Sequence, residues 1–402
     1  MKKAKERNKT KIFKSKSGIT LIALVVTIVV LLILTGITIS LVFSENGIIE
    51  KAREAANKTN QAIINEQVQM NEVGTTIDNM LNGTNEVGTP EDPTKEWDSN
   101  KVDKVTSADK IVVPVPKGYT ASSVSTENKV AEGFVIYEGQ ESVTDTNVDI
   151  ARTTRNQFVW VPVENPREMY GTDKDGKKWG KLYNFSASGI TPLNWTEKNN
   201  IMSITDVESH REPDVVDSDS SNSVTISQLE TEFNNMIVSV EKYGGFYIGR
   251  YETGNLSQEK VCVIKNNSDI NNQTWDSMYK KAKGIAVNSN VTSSIIWGSQ
   301  WDATMRWMYN SGNAEKKKYT YDSTGKGNYD DTNENKPIAT GSNDAYAINN
   351  IYDMAGNVFD WTIEAHSTND RVCRGGYYLS FVNFGYKTPA SYRDDDFPFD
   401  VR

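Results

Sequence analysis

The chain has 402 residues, with 44 Lys and Arg against 53 Asp and Glu, and a formal net charge of −9. That balance argues against nucleic acid as a partner, because phosphate binding is driven by a basic footprint. Two cysteines and two histidines are too few for a disulfide scaffold or a multi-histidine metal centre.

Residues 1–18 form a basic leader, eight Lys and Arg between Lys2 and Lys16 against a single Glu6, so they carry +7 and the rest of the chain −16. The run Ile19 to Phe43 that follows has 25 residues and no charge. As a helix it spans about 37 Å, enough for a hydrocarbon core of roughly 30 Å. The positive-inside rule keeps the leader cytoplasmic and predicts a single-pass membrane protein with everything after Phe43 outside. The run is too long for a signal peptide and lacks a small-residue cleavage site. A plain signal anchor is the alternative.

Beyond it Ile49, Ala52, Ala56, Thr59, Ile63, Glu66, Met70, Val73, Ile77 and Met80 fall at alternating spacings of three and four, a helical stripe weakened by Thr59 and Glu66 inside it, which extends the transmembrane helix into an amphipathic stalk over residues 19–81. Residues 82–104 are polar and rich in Asn, Gly, Pro and Asp, a linker composition. Residues 105–402 then form the head. Its strand signals are Lys110–Pro116, Gly133–Tyr137, Gln157–Val163 and Gly245–Tyr251. Helical faces run from Ile226 to Val240, through Leu229, Phe233, Met236 and Val240, and from Gln300 to Tyr309, through Trp301, Met305 and Met308. Long polar segments at 165–190, 202–224 and 310–350 separate them, so the fold class is α+β and loop-rich.

Two resemblances add to this reading. Lys16-Ser17-Gly18 before Ile19-Thr20-Leu21-Ile22 resembles the start of class III type IV prepilins, which implies cleavage between Gly18 and Ile19 and pilin subunits as partners. That family usually has Glu at the fifth mature position, thought to guide filament assembly, and here Ala23 stands there. In the head, Phe158–Val163, Gly245–Glu252, Trp301-Asp302-Ala303, Asn350–Trp361 and Arg374-Gly375-Gly376 follow the order of the formylglycine-generating enzyme (sulfatase-modifying factor) family. This resemblance implies a C-type lectin-like fold. The copper-binding cysteines of its aerobic enzymes fall at Ser380 and Gly385, neither of which supplies a thiolate, so no catalytic residue is assigned and the chain is expected not to be an enzyme.

Cys262 and Cys373 lie elsewhere and are read as structural, paired or free. His210 and His366 have no metal-ligand neighbour in sequence. Asp173-Lys174-Asp175-Gly176 begins a calcium-loop pattern, but Leu182 replaces the liganding Glu. Asp322, Asn328, Asp330 and Asp331 form a second oxygen-rich loop, also read as solvated. No cofactor is expected; a structural calcium is left open.

The segment after Gly376 mixes Tyr, Phe, Ser, Asn, Gly and Asp without strand alternation, the composition of adaptable recognition loops. It also resembles the variable proteins of diversity-generating retroelements, which randomise residues after such an Arg-Gly-Gly by adenine-directed mutation. Among residues 377–402 only Lys387 is unreachable from an Asn codon by that route. The expected contacts are Tyr377, Tyr378, Ser380, Phe381, Asn383, Phe384, Tyr386, Asp394, Asp395, Asp396 and Phe397, with Pro389-Ala390-Ser391 and Arg393 as scaffold. Phe399–Arg402 resembles a diverged form of the closing Gly-Phe-Arg strand of the formylglycine-generating enzyme family. The expected function is a surface-displayed, adhesin- or receptor-like protein that binds a protein or glycan; a membrane-tethered enzyme and a filament-capping minor pilin are the alternatives.

Overall fold

A computed structural model describes residues 97–394 except 174, 194, 199–200, 205–209, 217–223, 256–260, 269–272, 287, 330–335, 367–369 and 380–387. The chain divides into two compact units, Met1–Pro90 and Glu91–Arg402, and the described residues all belong to the second. Gly18, Ile19, Ala23, the membrane run, the stalk stripe and linker residues 82–96 lie outside them. Among the described residues no helix is long and apolar enough to cross a membrane.

The second unit is a mixed α+β fold of small antiparallel sheets. It opens with β1 (Val102–Thr106), β2 (Val112–Pro116), β3 (Tyr119–Ala121), β4 (Val135–Glu138), α1 (Val148–Thr154) and β5 (Gln157–Pro162). The hairpins β6 (Tyr170–Thr172) with β7 (Lys178–Gly180), β8 (Tyr183–Ser186) with β9 (Gly189–Pro192), and β10 (Trp195–Lys198) with β11 (Ile201–Ile204) precede α2 (Ile226–Tyr243). Next come β12 (Gly245–Gly249), β13 (Gly254–Asn255), β14 (Val261–Cys262), α3 (Trp275–Ala282), α4 (Gly298–Asn310) and α5 (Ala314–Tyr319). The last elements are β15 (Ala347–Ile348), β16 (Ile351–Tyr352), β17 (Asp360–Ala365), β18 (Arg371–Arg374) and β19 (Arg393–Asp394).

The central sheet has the order β12-β5-β4-β3. Its inner strand β5 buries Val159 and Val161 completely, which is why Phe158–Val163 reads as an unbroken apolar run and not as an alternation. Val135, Val159, Trp301, Met305 and Met308 form one core between this sheet and α4. A second core holds α2 and α3 together through Leu229, Phe233, Ile237, Trp275, Tyr279 and Trp297. Each large side chain buried there contributes about 1.5–3 kcal/mol relative to exposure. Arg250 closes the sheet's far end: its Nη1 donates to Glu127 Oε1 at 2.7 Å and to the Tyr137 hydroxyl at 3.1 Å.

Sequence and structure differ in places. The face of α2 centres on Ile237, fully buried, while Met236 is half-exposed. Val102–Lys104, inside the expected linker, pair with Pro114–Pro116, and Trp97 Nε1 donates to the Lys242 carbonyl at 3.1 Å, so order in the head begins upstream of residue 105. The polar segment 165–190 contains two hairpins rather than open loop.

Candidate ligand-binding site

The segment after Gly376 leaves a second sheet, β17-β18-β19. Gly375 and Gly376 have φ of +81° and +77°, the left-handed region that L side chains rarely adopt. A Cβ on Gly375 meets the Met354 carbonyl at 2.6 Å, so the Gly-Gly pair is required by the chain's exit over Met354. Tyr377 then stacks on Phe359 at 4.9 Å, Tyr378 meets the Tyr377 edge at 5.5 Å, and the Tyr378 N–H donates to the Asn357 carbonyl at 3.0 Å.

The chain returns at residue 388 and is seized from three sides. Trp301 Nε1 donates to the Ala390 carbonyl at 2.9 Å, the Ala390 N–H donates to Ser323 Oγ at 2.9 Å, and the Tyr329 hydroxyl donates to the Thr388 carbonyl at 2.5 Å. Arg393 and Arg374, side by side in register, share two buried carboxylates. Arg374 reaches Asp302 Oδ1 at 2.5 Å and Glu364 Oε2 at 3.1 Å; Arg393 reaches Glu364 Oε1 at 2.9 Å and also Asp302 Oδ2. Burial opposes the charge on Glu364, yet Arg393, His210 and Arg374 hold its carboxyl well below the usual carboxylate range. The outgoing and returning strands are therefore locked to each other through one charge network.

Of the expected contacts, Tyr377 and Tyr378 stand at the mouth of this segment, both half-buried. Asp394 is paired opposite Cys373 in β19. Ser380, Phe381, Asn383, Phe384, Gly385, Tyr386, Asp395, Asp396, Phe397 and Phe399–Arg402 lie outside the described residues. Of the expected scaffold residues, Ala390 is fully buried, and Arg393 is half-buried with its side chain 8% exposed.

The other motif residues are structural. Asn357 Nδ2 donates to Glu252 Oε2 at 2.6 Å while its Oδ1 accepts from Ile338 N at 2.9 Å and Asn328 Nδ2 at 3.0 Å. Gly356, at φ +76°, passes so close to Asn328 that a Cβ meets its carbonyl at 2.4 Å. Asp353 accepts from Gly341 N and Thr340 Oγ1, and burial lifts its carboxyl to about 6.

Cys262 and Cys373 are both buried and free, which resolves the open choice between pairing and free thiols. Burial, reinforced by Asp394 and Asp360, raises the Cys373 thiol well above its ordinary value; burial also raises Cys262, against a hydrogen bond from Asn267. Neither environment favours the thiolate that nucleophilic or metal chemistry needs. Asp173 is consumed by its turn, Oδ1 accepting from Asp175 N and Lys177 N at 2.9 Å each. Asp322 pairs with Lys318 and Asn328 with Asn357, while Asp330 and Asp331 lie outside the described residues. Among the described residues no group of three His, Cys, Asp or Glu is arranged to hold a metal ion.

Two features escape sequence reading. His210 and His366 come together with ring centroids 4.9 Å apart, and His210 Nδ1 sits 2.8 Å from Glu364 Oε1. Glu212 is wholly buried at the start of α4, accepting from Gly298 N and Ser299 N at 2.8 Å each. Burial is the main reason its carboxyl is pushed up to about 8; the Ser299 bonds oppose the shift, and Glu364 and Asp302 add to it. Comparison with family models, with curated proteins and with solved structures gives no match to this chain.

Proposed function

We propose that the chain is a surface-displayed binding protein whose C-terminal segment, residues 377–397, presents the ligand contacts. The observation that carries this is the double tether. A Tyr- and Phe-rich segment leaves the fold at Arg374 and re-enters it at Arg393, and the two guanidinium groups grip the same two carboxylates. Such a frame tolerates many sequences between fixed ends, because stability resides in the buried anchors and the intervening residues are free to serve recognition. The formylglycine-enzyme-like string supports a C-type lectin-like head, and the Arg-Gly-Gly followed by retroelement-compatible residues supports diversification of this surface. The basic leader and Ile19–Phe43 support a single-pass anchor, and Gly18-Ile19 supports prepilin processing, with membrane and pilin subunits as neighbours. The raised Cys262 and Cys373 thiols favour binding over thiol oxidation.

The test is the full chain in lipid nanodiscs, screened on glycan and extracellular-protein arrays and assayed for oxidation of a cysteine peptide. Saturable capture of one ligand class without turnover supports the reading. Turnover that is lost in Cys262→Ser or Cys373→Ser overturns it in favour of a tethered enzyme.

A further inference from the structure

We draw no further inference here: the strongest candidate, the cavity of about 750 Å³ beside β12, has carboxylates that are already partnered, Glu232 by Lys283 and Glu252 by Asn357, and nothing in the structure shows what would fill it.

Discussion

Gly375 shows how one residue sets the geometry of the proposed binding segment. At φ +81° with the Met354 carbonyl 2.6 Å from any added Cβ, Gly375→Ala has to adopt a strained conformation and displace backbone. The expected loss is about 1–3 kcal/mol or more, measured by denaturant unfolding of the full chain; an unchanged midpoint contradicts the geometry. Glu212 supplies the pH dependence. Its folded carboxyl titrates near 8 while an unfolded Glu titrates near 4.5, so between those values the folded state holds a proton the unfolded state has released. That contribution is fully present below about pH 4.5 and is lost as pH rises through 8. Thermal unfolding of the full chain is expected to show a decline in Tm from pH 5 to 8.5 that Glu212→Gln flattens, and an equal decline in both proteins contradicts the assignment.

Among the elements, β18, β19 and α4 act together. Arg374 and Arg393 bring two guanidinium groups into the interior, and Asp302 and Glu364 neutralise them. Removing one member leaves a buried charge uncompensated, at a cost of about 3–5 kcal/mol. Arg393→Met is expected to destabilise by that order and, in hydrogen exchange, to release the Ala390 amide, now bonded to Ser323. Protection unchanged at Ala390 means the returning strand is held by something else. Helices and strands with a strong period were legible beforehand: Leu229, Phe233 and Val240 on α2, Trp301, Met305 and Met308 on α4, and the runs that became β2, β4, β5 and β12. The hairpins within 165–190 were not, because their strands are only three or four residues long, which leaves little alternation to read. The charge network was equally hidden. Asp302, Glu364, Arg374 and Arg393 are spread over 92 positions of sequence, and no local pattern announces that four charges converge in one interior. Sequence did mark Arg393 as scaffold, through its resemblance to a family and not through any periodicity.

For the whole molecule, the anchor and the head belong to one proposal. The uncharged run Ile19–Phe43 and the +7 leader predict that the protein sediments with membranes and resists carbonate extraction. The mature chain is expected to begin at Ile19, by N-terminal sequencing; an intact Met1 contradicts processing, and release by carbonate contradicts the anchor. In that proposal display and recognition divide along the chain, the residues up to Pro90 carrying the expected signals for location and the unit Glu91–Arg402 the frame built around Arg374 and Arg393. The measurement that tests the central claim most directly takes the ligand captured on the arrays and compares the full chain with Tyr378→Ala and Phe384→Ala. Each variant is expected to lose at least about tenfold in affinity, 1.4 kcal/mol or more, with a thermal midpoint close to that of the parent. Affinity unchanged in both variants contradicts the assignment of binding to the segment after Gly376.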